Sequence, residues 1–444
     1  MGNYQAYEKY KDSGVEWLGE IPEHWEVKKL KHLVTKVGSG VTPKGGSSIY
    51  QLEGIPLLRS QNIHFDGLRL EDVAYISEEI HQEMSNSAVS NGDVLLNITG
   101  GSIGRCFYID DSLGDANVNQ HVCIIRPNKN LSTLFLYFFF RSSLGQKQID
   151  IEQTGSGREG LNFVALKNFI FPQISLDEQE SIANFLDRKT KQIDDLIAKK
   201  EALLAKLDEK RSAIISHAVT KGLDPTVPMK DSGIEWLGSI PKHWEVLRVK
   251  HLTKILRGKF SHRPRNDPKL YDGEYAFIQT GDVANANKFI IEYSQTLNEE
   301  GYAVSKEFPS GTLVMTIAAN IGDMAILNFN ACFPDSIVGF LSSNKTSILF
   351  LYYLFTSMRK QFLSTAVLNT QLNLNVERIS NLFTVIAPID EQVKIIDFLD
   401  QQITNIDQQK AKVQEAIERL KEYRTALITN AVTGKIDVRQ VSLN

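Results

Sequence analysis

Two stretches of the chain contain no glycine or proline and carry a regular apolar repeat. They cover residues 178–217 and 391–430, and Glu, Lys, Gln, Ala and Leu dominate both. This composition favours long helices. Apolar residues recur at intervals of seven, the spacing of a coiled-coil seam. The predicted seam residues are Leu186, Ile193, Leu207, Ile214, Leu399, Ile406, Val413, Leu420 and Leu427.

Each predicted helix has a single apolar stripe and therefore needs something to pack against. Lys200 interrupts the first repeat, and Ile182, Leu196 and Leu203 are expected to complete its seam at alternating spacings of three and four. Forty helical residues would extend about 60 Å. We predict that the two helices pair with each other in antiparallel fashion. The alternative is that each helix packs on its own neighbouring domain.

Short apolar or alternating runs bounded by Gly, Asn, Asp or Pro precede each long helix, and this pattern predicts strands. Each set is followed by one apolar segment long enough for a buried helix, at residues 131–144 and 346–363. The sequence therefore predicts two α+β domains rich in strands. The predicted strands are 56–58, 93–98, 106–109, 121–126, 275–279, 312–317, 324–329 and 336–341.

The chain also contains an internal duplication. Residues 11–33 return as residues 230–252 with 17 identities in 23 positions, and later landmarks recur in the same order. Asp177-Glu178-Gln179, for example, corresponds to Asp390-Glu391-Gln392. A period above 200 residues is too long for a solenoid or propeller repeat. It predicts two pseudo-equivalent halves related by a pseudo-twofold axis.

The same pattern defines provisional boundaries. Residues 221–229, with Gly222, Pro225 and Pro228, are expected to form a linker. The predicted segments are a first domain at 1–175, a spacer helix at 176–220, the linker at 221–229, a second domain at 230–387, a second spacer helix at 388–434 and a tail at 435–444.

Composition restricts the possible classes of protein. The 444 residues are 42% hydrophobic, enough for packed cores. The longest apolar run is far shorter than the ~20 residues that span a bilayer, and the N-terminus lacks the apolar stretch of a signal peptide. We therefore expect a cytoplasmic protein that does not associate with a membrane. Three cysteines without CxxC spacing predict reduced, buried thiols and no metal site.

Charge is distributed unevenly although the net charge is only −4. Residues 27–52 contain five basic residues and no acidic one, and residues 246–270 contain eight basic residues and one acidic residue. A local patch facing phosphates would need such a concentration. The alternative is a solvated strand edge rich in lysine.

Motifs of catalysis are missing. The glycine runs at 37–40, 99–104 and 154–157 match neither a phosphate-binding loop nor a dinucleotide-binding turn, so tight turns are the favoured interpretation. His24 and His243 lie within the duplicated segment and are expected to pack or cap. No catalytic residue is predicted.

Polar loops at matching places in the two halves suit the reading of bases. Arg, Gln and Asn side chains pair with guanine and adenine edges, and Lys and Arg contact phosphates. For any single residue, a solvated turn is the simpler interpretation. The candidate DNA contacts are Lys44, Arg59, Gln61, Asn62, Arg158, Arg257, Lys259, Arg263, Arg265, Gln279, Asn320 and Gln371.

These residues together resemble the specificity subunits of type I restriction-modification enzymes. The resemblance covers the whole chain and includes Trp17, Pro22 and Trp25, their copies Trp236, Pro241 and Trp244, and the two Asp-Glu-Gln segments. It implies two target recognition domains separated by two long antiparallel coiled-coil helices, and a noncatalytic subunit that reads a bipartite site in double-stranded DNA.

The resemblance also implies the partners. Two methylation subunits would dock on the helices, and restriction subunits would supply translocation and cleavage. S-adenosylmethionine, ATP and Mg²⁺ are expected on those partners, and no cofactor on this chain. The divergence of the halves predicts an asymmetric site. Two alternatives stay open at this stage: a single-chain nuclease or methyltransferase, and a twofold protein-binding scaffold without a role at DNA.

Overall fold

The computed structural model describes residues 4–153, 160–262, 264, 266–318, 321–364, 367–368 and 372–441. Its contacts divide the chain into two units. Unit 1 comprises Met1–Glu201 and Gln414–Asn444, and unit 2 comprises Ala202–Val413. Each unit therefore contains one domain rich in strands and a part of both long helices.

Unit 1 contains thirteen of the described strands and the first four short helices. The strands are β1 (Tyr10–Asp12), β2 (Glu20–Pro22), β3 (Glu26–Lys29), β4 (Val34–Ser39), β5 (Ile55–Leu58), β6 (Ile63–His64), β7 (Gly67–Leu68), β8 (Ala74–Ile76), β9 (Val94–Asn97), β10 (Cys106–Tyr108), β11 (Asn117–Val118), β12 (Val122–Pro127) and β13 (Ile170–Gln173). The short helices are α1 (Glu78–Glu83), α2 (Thr133–Arg141), α3 (Ser143–Glu152) and α4 (Phe163–Lys167), and the long helix α5 (Leu176–Lys221) follows.

Unit 2 repeats this plan. Its strands are β14 (Met229–Asp231), β15 (Ser239–Pro241), β16 (Glu245–Arg248), β17 (Lys254–Arg257), β18 (Tyr271–Phe277), β19 (Phe289–Ile290), β20 (Gln295–Leu297), β21 (Glu307–Phe308), β22 (Leu313–Thr316), β23 (Met324–Leu327), β24 (Ala331–Cys332), β25 (Ile337–Leu341), β26 (Val367–Leu368), β27 (Leu372–Asn373) and β28 (Phe383–Ile386). Its helices are α6 (Thr280–Asn285), α7 (Glu299–Ala303), α8 (Ile348–Ser357), α9 (Arg359–Ser364) and α10 (Val376–Asn381), followed by the long helix α11 (Ile389–Val432).

The sheets confirm that the two halves are equivalent. In unit 1 the main sheet has the order β10-β9-β12-β4, and a second sheet has the order β11-β5-β8. Unit 2 contains the same orders as β23-β22-β25-β17 and β24-β18-β20, with β19 and β21 added at the edges. The predicted class, two α+β domains with a long helix between them in the chain, is confirmed.

The central strand of each main sheet is buried on both faces, which explains its continuous apolar sequence. In β22, Leu313 and Met315 belong to the core beneath α8, whereas Val314 belongs to the core between the two sheets. Successive side chains of a strand point to opposite faces, so alternate residues reach different cores. The predicted helix at 346–363 is divided into α8 and α9, which meet at Met358.

The long helices extend the predicted stretches by about one turn or less. Their ion pairs run in antiparallel register inside each unit. In unit 2, Arg211 pairs with Asp407 at 2.5 Å, and Asp208, three residues earlier, pairs with Lys410, three residues later. In unit 1, Asp194 pairs with Arg424. The alternative of two unpaired helices is therefore wrong.

The first row of the predicted seam is confirmed, whereas the flanking row is buried at Ile182 but wrong at Leu196 and Leu203. Leu186, Ile193, Leu207, Leu399, Ile406 and Leu427 are buried, and Ile214, Val413 and Leu420 are half-buried. Leu196 and Leu203, however, are 42% and 43% exposed. The second row lies four residues after the first instead of three: Thr190, Ile197, Ile403 and Ile417 are buried there.

A glutamate at the start of each long helix binds the duplicated segment. Trp25 Nε1 donates to Glu178 Oε1 at 3.1 Å, and His24 Nε2 lies 2.9 Å from Glu178 Oε2. Trp244 and His243 bind Glu391 in the same way, at 2.9 and 2.5 Å. The two histidines therefore fix a helix start, in line with the predicted capping role. We call each Trp-His-Glu group a clamp.

The next residue, a glutamine, ties the same helix start to the apolar helix of its domain. Gln392 is fully buried. Its amide accepts a hydrogen bond from Ser347 N at 3.0 Å and donates to Lys345 O and Ala387 O, both at 2.9 Å. Gln179 makes the equivalent three bonds in unit 1. The Asp-Glu-Gln landmark is therefore a junction between domain and helix.

Replacing Gln392 with leucine is expected to weaken this junction. The change leaves one N–H and two carbonyl groups of unit 2 without their partner, and an unpaired buried polar group costs about 1–3 kcal/mol. We expect the free energy of unfolding to fall by about 3 kcal/mol, measured by denaturant titration, with faster amide exchange at Ser347. Gln409→Leu, on the exposed side of the same helix, should change neither quantity. Equal behaviour of the two variants would contradict the assignment.

Candidate nucleic-acid interface

Four loops of unit 1 meet at one edge of its sheets. In the main sheet, β4 and β9 end beside the start of β12, since Ser39 pairs with Cys123 and Asn97 pairs with Val122. In the second sheet, β11 runs parallel to β5, so both strands end on the same side. This topology brings together the loops at residues 40–46, 59–62, 97–104 and 119–121.

Side chains of these loops bind one another. Thr99 Oγ1 lies 2.7 Å from His121 Nδ1, and Gln120 Nε2 lies 3.0 Å from His121 Nε2. Thr42 Oγ1 donates to Gln120 Oε1 at 2.5 Å. Gln120 and His121 are not among the residues that the sequence indicated. The polar run Asn119-Gln120-His121 immediately before a buried strand is the signal that could have identified them.

Unit 2 forms the equivalent edge. Arg257 pairs with Val338 and Thr316 pairs with Ile337, so β17 and β22 end where β25 begins. In the second sheet β24 runs parallel to β18. The described parts of the loops after β17, β18 and β22 and of the loop before β25 therefore lie at one edge. We call the four-loop edge of either unit a loop face.

The turn after the first strand of the second sheet has the same construction in both units. Arg59 N donates to Asn62 Oδ1 at 2.9 Å, and Gln279 N donates to Asp282 Oδ2 at 2.7 Å. Each carboxylate or amide side chain thus caps the turn from three residues away. The sequence correspondence between these two loops is therefore also a correspondence of geometry.

The candidate DNA contacts of unit 1 differ in how exposed they are and in whether their polar atoms already form hydrogen bonds. Lys44 and Gln61 are exposed. Arg59 folds back on its own domain, where Nη2 donates to Asp72 O at 2.9 Å. Asn62 is 1% exposed, and its amide nitrogen donates to Arg69 O at 2.7 Å. The structure therefore gives Asn62 a structural role in place of the predicted base contact.

The unit 2 candidates show the same division. Arg257 and Lys259 are exposed, and Arg257 Nε also donates to Asp335 O at 2.7 Å. Gln279 is half-buried and donates to Gln295 Oε1 at 2.8 Å. Five further candidates lie outside the described residues: Arg158, Arg263, Arg265, Asn320 and Gln371.

The basic stretches of the sequence do not form continuous patches. In unit 1, Lys28 pairs with Glu26 at 3.3 Å, and Lys36 Nζ donates to Asn86 O at 2.7 Å. Burial, together with the nearby Arg126, lowers the pKa of Lys36. In unit 2, Arg248 lies over the Phe383 ring. Among the described basic residues of these stretches, those at the loop faces include Lys44 in unit 1 and Arg257 and Lys259 in unit 2.

Of the three glycine runs predicted to be tight turns, 99–104 is confirmed, 37–39 belongs to strand β4, and 154–157 lies outside the described residues. Gly104 and Gly322 have φ values of +86° and +82°, in the region that favours glycine. Their N–H groups close the turns on Asn97 O and Thr316 O, both at 2.9 Å. The positive φ of these two glycines is therefore explained by the turns that they close.

Several other sequence expectations concern chemistry away from the loop faces. All three cysteines are buried free thiols, and burial raises the pKa of Cys106 to about 12. Within the described part of the chain, no group of His, Cys, Asp and Glu side chains is placed to hold a metal ion. No described helix combines the length and apolar character needed to cross a bilayer.

Comparison with known proteins gives matches along most of the chain. Residues 22–206 and 241–419 match the model of the type I restriction modification DNA specificity domain. A putative type I restriction enzyme MjaX specificity subunit from Methanocaldococcus jannaschii is 24% identical over 95% of this chain and 96% of the relative. The EcoKI specificity subunit from Escherichia coli is 21% identical over 94% of this chain and 90% of the relative.

Solved structures share the fold. A chain from a study of complex assembly and conformational transition of the type I restriction-modification system aligns with a TM-score of 0.73. That alignment has 15% identity and covers 93% of this chain and 98% of the other. The HsdS subunit from Thermoanaerobacter tengcongensis aligns with a TM-score of 0.54 and 16% identity, over 94% and 98% of the two chains.

Two copies of the family domain therefore coincide with the two halves of the duplication, and each copy includes a loop face and the start of a long helix. This chain belongs to the type I restriction-modification specificity subunits, the noncatalytic components that recognise DNA within a complex of several subunits.

Proposed function

We propose that this subunit reads an asymmetric, bipartite sequence in double-stranded DNA, one part with each loop face. The observation that carries the proposal is the recurrence of the loop face. Both units bring four loops to the same edge of the same sheet arrangement, although the loop residues themselves differ. A constant frame that presents variable polar loops suits the recognition of two different sequences by one mechanism.

The exposed side chains at the loop faces support contact with DNA. Lys44 and Gln61 are exposed in unit 1, and Arg257 and Lys259 are exposed in unit 2. Glutamine can pair with adenine and arginine with guanine, while lysine binds phosphate. Arg59, Asn62 and Gln279 are better suited to holding the loops in shape than to reading bases.

Differences between the loop faces support an asymmetric site. The capped turn is Arg59-Ser60-Gln61-Asn62 in unit 1 and Gln279-Thr280-Gly281-Asp282 in unit 2. Before the buried strand, unit 1 has Asn119-Gln120-His121 and unit 2 has Pro334-Asp335-Ser336. Donors and acceptors are therefore arranged differently on the two faces.

The long helices are suited to two tasks. Their fixed length would set the spacer between the two parts of the DNA site. Their exposed surfaces, which include Leu196 and Leu203, would dock two methylation subunits. Those subunits would bind S-adenosylmethionine, and restriction subunits would supply the ATP- and Mg²⁺-dependent steps. A cytoplasmic location, where such a complex meets DNA, completes the proposal.

Arg257→Ala combined with Lys259→Ala is expected to impair recognition of one part of the site. Both residues lie on the unit 2 loop face, so base preference at the other part should persist. The measurement is selection of bound duplexes from a randomised library by the complex with methylation subunits. We expect lost information at one half-site and at least tenfold weaker binding to the original duplex. Lys230→Ala with Lys242→Ala, in the exposed duplicated segment, is the matched control. Equal loss of preference at both half-sites would contradict the proposal.

Shortening both long helices by one heptad is expected to shorten the spacer. Removal of residues 198–204 and 414–420 follows the antiparallel register and shortens each helix by about 10 Å. This length corresponds to about three base pairs of DNA at ~3.4 Å each. The same library selection should recover both original half-sites with a shorter spacer. A spacer of unchanged length would show that the helices do not determine it.

Ile193→Asp and Leu196→Asp, on the same helix, are expected to affect different properties: the first the stability of the chain, the second its assembly with partner subunits. Ile193 is buried between the paired helices, so its replacement should destabilise the isolated chain by several kcal/mol. Leu196 is exposed, so its replacement should leave stability within about 0.5 kcal/mol but reduce assembly with methylation subunits. Denaturant titration and size-exclusion chromatography measure the two effects. Normal assembly of Leu196→Asp would argue against docking there.

A further inference from the structure

The two clamps have the same core but are covered to different extents. In unit 1, the Glu178 side chain is 6% exposed, and Phe185, two turns further along the same face of the helix, is 1% exposed. In unit 2, the equivalent Glu391 and Phe398 side chains are both 36% exposed. The same site is therefore closed in one unit and open in the other.

Segments from both chain termini close the site in unit 1. The Tyr4 ring packs edge-on against Phe185, with centroids 5.4 Å apart. Tyr7 OH donates to Glu178 Oε1 at 2.8 Å. Arg439 Nε lies 3.9 Å from the same oxygen, and its guanidinium lies 4.8 Å from the Tyr7 ring centroid. The cover thus consists of two aromatic rings, a hydroxyl donor and a cation.

The tyrosine is well suited to this position. Burial and the neighbouring Glu178 raise the pKa of Tyr7 above its ordinary value, so the hydroxyl keeps its proton and remains a donor. With Trp25, His24, Tyr7 and Arg439 around it, the glutamate of unit 1 has four polar neighbours.

Unit 2 has different residues at the covering positions. Counted back from the shared Asp12 and Asp231, the three tyrosines Tyr4, Tyr7 and Tyr10 correspond to Leu223, Thr226 and Met229. Leu223 and Met229 are 42% and 44% exposed. The Thr226 hydroxyl bonds to Asp224 at 2.7 Å instead of to the clamp. The linker therefore replaces the aromatic cover with small or aliphatic side chains.

Glu391 consequently keeps acceptor capacity. Its contacts in the described part of the chain are Trp244 and His243, one on each carboxylate oxygen. Phe398, seven residues later and therefore on the same face of the helix, presents an exposed ring. A half-exposed carboxylate combined with an exposed aromatic ring, on a site that is closed in the other half, indicates a surface that a partner covers.

We propose that the open clamp of unit 2, with Glu391 and Phe398, is the docking site for an extended segment of another subunit of the complex. This inference rests on the proposed assembly with other subunits. The segment would carry an aromatic ring for Phe398 and a hydroxyl or cationic donor for Glu391, because unit 1 shows that such groups fit this site.

A second copy of this chain is the weaker candidate for the occupant. Its own Tyr4 and Tyr7 are already in place on its unit 1, and Gln5 pairs there with Asp437 in a backbone bridge. A second copy would have to give up these contacts to supply the same residues in trans. A separate subunit has no such cost.

Photo-crosslinking tests the inference directly. The full chain, with p-benzoylphenylalanine in place of Phe398, is purified in complex with its partner subunits and irradiated, and crosslinked peptides are identified by mass spectrometry. We expect a crosslink to a partner segment that contains aromatic and basic residues. The control places the same probe at Tyr4, where crosslinks should stay within this chain. A crosslink from position 398 to a second copy, or none to any subunit, would overturn the inference.

A second measurement uses Phe398→Ser, which leaves the hydrogen bonds of Glu391 in place, and titrates the partner subunits onto the chain. We expect at least tenfold weaker association with unchanged thermal unfolding of the chain. The matched control is Leu52→Ser, since Leu52 is 99% exposed and belongs to unit 1. Unchanged association would overturn the docking site, while preserved half-site preference in the same samples would leave the proposed DNA function standing. Loss of all DNA selectivity in the unmodified complex would instead contradict the proposed function.

Discussion

The structure depends on a buried polar junction at the start of each long helix. A glutamate there accepts hydrogen bonds from the Trp and His of the duplicated segment, and the following glutamine bonds to backbone groups of the domain. Buried polar groups need partners, so each bond of this junction requires the others to be in place. Two adjacent residues, Glu391 and Gln392 or Glu178 and Gln179, therefore attach each domain to the start of its long helix.

Much of this fold could be predicted because its signals are periodic. The absence of Gly and Pro with a seven-residue apolar repeat defined both long helices, and short continuous apolar runs defined central strands such as β9 and β22. The seam was only half correct, because heptad spacing fixes one row of residues but leaves the second at three or four residues further on. Leu196 and Ile197 are both apolar, and only the position of the partner helix determines which is buried.

The candidate site was harder to predict because a sequence does not show which polar side chains form hydrogen bonds within their own turn and which remain free for DNA. Asn62 has the right chemistry for adenine, yet its amide caps the loop. The basic stretches were misleading for another reason. Residues that are close in sequence belong to different strands and therefore lie in different surroundings. Arg248, at the end of β16, lies over the Phe383 ring, whereas Arg257, at the end of β17, lies at the loop face. Gln120 and His121 were missed because a short polar run carries little signal without the strand topology that places it.

The duplication explains both the likeness of the two units and the value of their differences. Equivalent sheets and clamps provide a repeated frame, and unlike loops allow each unit to recognise its own sequence. The most direct measurement is a map of methylated bases in DNA from cells with and without this chain. Our account predicts a methylated motif of two unlike parts, separated by a spacer of constant length, that appears only with the chain. A single uninterrupted motif, or the same methylation in both cells, would contradict it.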